Sequence, residues 1–271
     1  MERVMLTEVE KKQFDKDGFL VKRAFYSAEQ IEVINHVFMT EAKDGPVPGL
    51  SDTIKALSPD DPLARYPRMM HPHRHPEKEL GQLALEFLLD PRLEPILQTL
   101  FEDEPIGAQT MFYFKPPGAR GQALHQDNFY LRVKPGTCMA AWLALDHTDA
   151  ENGGMQVVPG SHREDVVCPE TADLSQSFSS HFVAVPQGME AVNVEMEPGD
   201  ILFFNGSLIH GSPPNSSQNR FRRSLIAHYI PAACEEVATW YRPLMRFNQD
   251  LVQKDFVDDG GPCGVMINAP H

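Results

Sequence analysis

The hydrophobic pattern of this chain changes period once. From residue 8 to about 101 the apolar residues recur at helical spacing. From about 107 onward they come in short runs between Gly and Pro. Ser27-Ala-Glu-Gln30 has the Ser-x-x-Gln form of a capping box, which predicts a helix start with Ile31, Ile34 and Phe38 as its core stripe. Gly18-Phe-Leu-Val21, just before it, reads as a short strand. Pro76 is expected to open a second helix holding Leu80, Leu83, Ala84 and Phe87 inside. Asp90-Pro91 reads as an N-cap followed by proline at the first helical position of a third, with Leu93, Ile96, Leu97 and Leu100 inside. Residues 44–75 are rich in Pro, Gly, Ser and Asp, and a structureless connection of that length is commonly functional.

Beyond 107 the pattern predicts strands over 108–115, 123–130, 139–146, 155–158, 191–196, 200–205 and 222–230. Many short strands argue a sandwich or barrel. With the helices grouped first, the expected fold is mainly β with helices (α+β). It is a double-stranded β-helix (jelly roll, cupin-like) under an N-terminal helical layer. The whole chain, 1–271, reads as a single domain, with a helical layer over 8–101, a core over 107–232 and a tail over 233–271. Segment 163–190 reads as an insertion at the substrate entrance. The tail after Pro231 carries few strand signals and is expected to pack loosely or cover an edge.

The candidate chemistry centres on Leu124-His-Gln-Asp-Asn128. In an extended strand, side chains at i and i+2 share a face, so His125 and Asp127 converge. Two ligands do not close a metal site. A third candidate, His210, follows the turn and apolar run Pro198-Gly-Asp-Ile-Leu-Phe-Phe-Asn205. Two His and one carboxylate with open positions is the ligand set of non-haem Fe(II) oxygenases. Arg222 opens the next strand-like run. A metal with a nearby arginine suits a small dicarboxylate, one end chelating the metal and the other taking a forked guanidinium contact. Strand alternation lets only one of Arg222 and Arg223 face such a pocket.

The chain resembles the phytanoyl-CoA dioxygenase family of Fe(II)/2-oxoglutarate oxygenases. The matching pieces are Met111-Phe-Tyr-Phe-Lys-Pro-Pro117, Leu124-His-Gln-Asp127, Ala141-Trp142, Asn152-Gly-Gly154, Pro159-Gly-Ser-His162, Gly199-Asp200, His210-Gly-Ser212 and Phe221-Arg222. Phe14-Asp-Lys-Asp-Gly-Phe-Leu20 resembles the family's opening, so the match covers roughly residues 8 to 232. The resemblance implies Fe(II) at His125, Asp127 and His210, and the 2-oxoglutarate C5 carboxylate at Arg222 rather than Arg223. It implies Met111, Gln126 and Trp142 in the cosubstrate pocket, and O2 as the oxidant. It implies hydroxylation of an unactivated C–H of a small molecule, with release of succinate and CO2. Relatives that halogenate lack the carboxylate, so Asp127 favours hydroxylation, with desaturation or ring formation open. It does not imply a CoA thioester. Two other readings stand beside it: a cupin-like iron dioxygenase that does not use 2-oxoglutarate, and a non-catalytic jelly-roll binding protein.

Composition narrows the partners. Over 271 residues, 24 basic against 38 acidic side chains give a net charge of −14. That disfavours a nucleic-acid or anionic-membrane surface and leaves a small-molecule substrate. Cys138, Cys168, Cys234 and Cys263 have no C-x-x-C spacing and are expected to be reduced thiols of a cytoplasmic protein. No N-terminal apolar leader and no run of membrane-spanning length is seen. Arg68-Met-Met-His-Pro-His-Arg-His75 carries three His at alternate positions. A second metal site there is weighed against a pocket wall, with one of Arg68, His71 or His73 touching substrate or cosubstrate, and against a solvated loop; Pro72 interrupts any strand. His36, His147, His162, His181 and His228 read as structural or surface residues, although His228 shares a strand face with Arg222.

Overall fold

The change of period is a change of layer. The computed structural model describes residues 5–258 and Cys263. It opens with α1 (Glu8–Asp17), β1 (Phe19–Lys22) and α2 (Ala28–Glu41). Both helices start at complete capping boxes, Thr7 with Glu10 and Ser27 with Gln30, which satisfies first-turn N–H groups that the helix itself leaves unpaired. Residues 44–75 hold the short helix α3 (Pro62–Arg65) and the two-residue strand β2 (Met69–Met70).

Helices α4 (Glu79–Leu88) and α5 (Glu94–Phe101) begin later than their proline signals predict. The Lys78 N–H closes a turn on the His75 carbonyl before α4 starts. The Asp90 carboxylate accepts from the Arg92 N–H and guanidinium and from the Tyr26 hydroxyl. It therefore holds a turn, and α5 starts beyond it.

Then come β3 (Pro105–Tyr113), β4 (Gln122–His125), α6 (Asn128–Leu131), β5 (Met139–Ala144), β6 (Met155–Val157), β7 (Glu170–Thr171), β8 (His181–Phe182) and β9 (Val192–Val194). They are followed by β10 (Ile201–Asn205), β11 (His210–Ser212), β12 (Ser224–Pro231), β13 (Glu236–Ala238), β14 (Leu244–Met245), β15 (Leu251–Val252) and β16 (Asp255–Val257). The larger sheet runs β1-β10-β5-β12-β3-β14-β15, with β2 also on β3; the smaller runs β4-β11-β6-β9. These are the two antiparallel sheets of the predicted jelly roll. Alternation sorts the larger sheet's side chains. Phe112, Leu143, Phe203 and Leu225 pack outward among the helices, where Phe38 stacks on Phe112 at 4.0 Å between ring centres. Met111, Trp142, Leu202, Phe204 and Ile226 point inward, against Met155, Val157 and Val194 of the smaller sheet.

Two expectations need correction, the strand over 123–130 and the cysteines. The strand stops at His125, and α6 follows. Of the two expectations for the tail, covering an edge holds: β14 pairs with β3 and extends the larger sheet, and β13 pairs with β16. The four cysteines are not all reduced. Cys168 and Cys263 form a disulfide across 95 residues of chain with Cα atoms 5.6 Å apart, while Cys138 and Cys234 are buried free thiols. Spacing along the chain carries no information about that approach. Segment 163–190 forms the β7–β8 hairpin. No helix among the described residues is long and apolar enough to cross a membrane.

Candidate active site

The two sheets bring His125, Asp127 and His210 together between them. On the smaller sheet His210 lies directly opposite His125 in register, which puts their ring centres 4.3 Å apart. Asp127 arrives by a different route from the predicted one. Its backbone is helical, φ −61° and ψ −35°, at the start of α6. The chain turns out of β4 after His125 and swings the carboxylate back over the imidazoles. Asp127 Oδ1 lies 3.4 Å from His125 Nε2 and 3.5 Å from His210 Nε2. All three residues are buried, and they form the one metal-capable cluster of His, Cys, Asp or Glu found among the described residues.

Hydrogen bonding sets the tautomers. His125 Nδ1 donates to the Ala123 carbonyl at 2.7 Å, and His210 Nδ1 donates to the Leu208 carbonyl at 2.9 Å. Each ring therefore turns its Nε2 lone pair toward Asp127 Oδ1. His125 Nε2 also accepts from Gln122 Nε2 at 3.2 Å. Two imidazole nitrogens and a carboxylate oxygen within 4.8 Å of one another are a donor set that fits a divalent metal. Burial and the neighbouring His210 hold the His125 pKa below its usual value, which keeps the ring in its ligating form. Burial alone would raise Asp127, but the His210 and His228 rings hold it well below the usual carboxylate range.

The three side chains line one cavity, and Arg222 lines it too. The Arg222 Nε donates to the Gly153 carbonyl at 3.1 Å, Nη1 to Ser224 Oγ at 3.0 Å and Nη2 to Ser212 Oγ at 3.4 Å. The guanidinium lies 5.4 Å from the centre of the Trp142 ring, and no carboxylate pairs with it among the described residues. Burial lowers its pKa to about 10. Lys115 lies alongside, donating to the same Gly153 carbonyl and to Ser212 Oγ at 2.9 Å. Burial first, then the Arg222 charge, pushes its pKa well down. A buried guanidinium and a buried amine with no carboxylate partner among the described residues favour an anion beside them. Arg223 points the other way, onto Asp146 with contacts of 2.6 and 2.9 Å.

Met111 and Trp142 line this cavity. Gln126 does not. Its Nε2 donates to the Ser207 carbonyl at 2.7 Å, and its Oε1 accepts from the Val167 N–H at 2.8 Å. In leaving the strand after His125, the chain turns Gln126 toward the 163–190 insertion. The histidines of 71–75 do not gather around a metal. His71 Nε2 meets Gln109 Oε1 at 3.0 Å, His73 Nδ1 meets Thr110 Oγ1 at 2.8 Å, and His75 Nδ1 meets Glu77 Oε1 at 3.1 Å on the surface. Arg68 Nη1 donates to the hydroxyl of Tyr113, which lines the cavity, at 2.8 Å. Sequence reading put His228 on the strand face of Arg222, within reach of the pocket but not as a ligand; it lines the cavity, and its Nε2 lies 2.9 Å from Asp127 Oδ2. The one signal for it was the alternation that puts Ser224, Ile226 and His228 on the inner face with Arg222. Lys115, within the quoted Met111–Pro117 motif, carried no signal of its own.

The sequence model of the phytanoyl-CoA dioxygenase family (PhyH) matches residues 14–224. The chain belongs to that family. Among relatives, a phytanoyl-CoA dioxygenase domain-containing protein 1 homolog of Dictyostelium discoideum is 26% identical over 257 residues, covering 83% of this chain and 91% of the relative. Among solved structures, the alpha-ketoglutarate-dependent carbocyclase SnoK from nogalamycin biosynthesis superposes with a TM-score of 0.65 at 20% identity, covering 85% of this chain and 86% of that one. The epimerase SnoN, in complex with Fe3+, alpha-ketoglutarate and nogalamycin RO, does so with a TM-score of 0.63 at 22% identity, covering 87% and 86%. These likenesses bear out the family's jelly roll.

Proposed function

We infer that this member of the phytanoyl-CoA dioxygenase family is an Fe(II)- and 2-oxoglutarate-dependent dioxygenase that hydroxylates an unactivated C–H of a small organic molecule. The observation that carries the reading is one cavity lined both by a buried His-Asp-His donor set and by the buried Arg222, which no carboxylate pairs with among the described residues. A dicarboxylate would use both, one end chelating a metal and the other meeting the guanidinium.

His125, Asp127 and His210 would hold Fe(II) and leave three positions open. Arg222 would hold the C5 carboxylate, and Ser212 and Ser224 keep its planar fork in place. Trp142 and Met111 would wall the cosubstrate. Bound iron and 2-oxoglutarate supply the oxidation: O2 places one oxygen atom in succinate as CO2 leaves, and the other in the substrate. The chain's part is to orient the cosubstrate and exclude water. The sheet's inner apolar residues, Phe204 and Ile226 beside the metal ligands, do the second. The solved relatives include a carbocyclase and an epimerase by name; Asp127 argues against halogenation alone, and product analysis decides between hydroxylation, desaturation and ring formation.

The test is an anaerobic absorbance titration of apo-protein with Fe(II), then 2-oxoglutarate, in wild type and Arg222→Ala. A weak visible charge-transfer band in wild type, needing more cosubstrate in the variant, supports the reading. Iron binding without the band points to the cupin-like dioxygenase. No iron binding leaves the binding-protein reading.

A further inference from the structure

The sequence put two features near the pocket without settling what they do, His228 on β12 and the His71-Pro-His73 stretch before α4. The fold joins them. Asp127 Oδ1 faces the two ligand imidazoles, and its other oxygen, Oδ2, lies 2.9 Å from His228 Nε2. A carboxylate oxygen accepts, so Nε2–H donates. On the far side of the ring, His228 Nδ1 lies 3.1 Å from Gln109 Nε2. An amide NH2 only donates, so Nδ1 accepts and the ring is held as its Nε2–H tautomer. Gln109 Oε1, in turn, lies 3.0 Å from His71 Nε2. A carbonyl accepts, which orients the amide. Each link thus fixes the direction of the next, from His71 through Gln109 and His228 to Asp127. His71, Gln109, His228 and Asp127 are 7%, 0%, 1% and 2% exposed, so losing a partner is costly to each. The His71 backbone is itself pinned, with φ at +52° and its N–H donating to the Thr110 carbonyl at 2.9 Å.

We propose that His228 is a positioning residue for the metal: with Gln109 and His71 setting its tautomer, it holds Asp127 Oδ2 so that Oδ1 alone is presented to the ion. The proposal rests on the metal reading above. A carboxylate that can rotate offers either oxygen, or both. One whose outer oxygen is tied by a directional donor offers one, and leaves an extra position for cosubstrate or O2. The string also gives the 68–75 segment its place, since that segment is braced onto β3 by side chains rather than by the two-residue strand β2 alone.

The test uses the full chain as apo-protein and Co(II) as the probe, whose visible bands report coordination number. Affinity, bands and apo-protein melting are recorded for wild type, His228→Leu, His228→Gln and Gln109→Leu. His228→Leu is expected to weaken Co(II) binding by about 10- to 100-fold, the usual effect of removing an outer-sphere partner, and to shift the bands. His228→Gln keeps an N–H near the Nε2 position and should bind within about threefold of wild type on the same scale. Gln109→Leu touches no ligand and tests the tautomer step. It frees His228 to turn a lone pair toward Asp127 and should weaken binding by about 10-fold. If His228→Leu does not fold, Gln109→Leu and His228→Gln carry the test. Wild-type affinity and bands in Gln109→Leu and His228→Leu would overturn the proposal. So would a lost affinity that follows a lower apo-protein melting point with unchanged bands. Absence of Co(II) binding in wild type overturns the metal reading and this proposal with it, and is thereby distinguished from the other outcomes.

Discussion

Arg222 and Arg223 are adjacent and chemically identical, and the strand they lead into sends them to opposite sides. Arg222 enters the cavity with hydroxyl and carbonyl partners only, while Arg223 is neutralised by Asp146. Their substitutions should therefore behave differently. Arg222→Ala removes a charged hydrogen bond worth about 1.5–3 kcal/mol, which corresponds to a roughly 10- to 150-fold higher 2-oxoglutarate requirement. Iron occupancy should not change. Arg223→Ala breaks a mostly buried pair on the far side of the sheet and should leave the cosubstrate requirement alone. A titration of the charge-transfer band against 2-oxoglutarate separates the two; the reverse result would mean that the strand register is misassigned. His125→Ala or His210→Ala should abolish both turnover and tight iron binding, as read by succinate release and metal analysis of the desalted protein. Undiminished turnover in either would remove the metal assignment.

Among the elements, the capped helices and the inner-face rows of the larger sheet do separate work. The Ser27–Gln30 box starts α2, and α2 carries Phe38 onto Phe112 of β3. Ser27→Ala should cost about 1 kcal/mol, and Phe38→Ala about 3–5 kcal/mol because it opens a buried void. Both are read by denaturant unfolding. Phe38 packs on the outer face of β3 and Met111 on the inner face, so a tolerated Phe38 variant should keep its iron and 2-oxoglutarate affinities. A loss of metal affinity in a folded Phe38 variant would show that the two faces are coupled. Helix α6 belongs at this scale too. It turns Asp127 out of the strand, and with it Gln126 away from the cavity.

Over the whole molecule, the buried histidines set the response to acid. Burial, with Arg74 nearby, lowers the His71 pKa to about 3, and burial with the His71 charge takes His73 well down also. In the unfolded chain both titrate near the ordinary value of about 6.5. The unfolded state therefore takes up protons first, so stability is full above about pH 6.5 and falls as pH drops toward 3. For His71 alone the loss between pH 7 and pH 5 is roughly 2 kcal/mol. His71→Asn should flatten the slope of unfolding free energy against pH in that window. An unchanged slope would mean that His71 is not buried as a neutral ring.

What the sequence determined by itself was everything carried by local period and local chemistry. The Ser27 box named the start of α2, alternation put Arg222 and His228 on one strand face and Arg223 on the other, and His125, Asp127, His210 and Arg222 could be picked out by residue type in frames of turn and strand. Tertiary structure alone decided the rest. It bent the chain after His125, sent Gln126 to Val167, paired Cys168 with Cys263, and brought His228 to Asp127 across 101 residues of chain and Gln109 to His228 across 119. For the polar contacts among these the physical reason is shared. Periodicity records which face of an element is apolar, and a motif records which groups can bind. Which buried polar atom satisfies which other is settled only when the sheets close and water is excluded, because only then does an unpaired donor become costly.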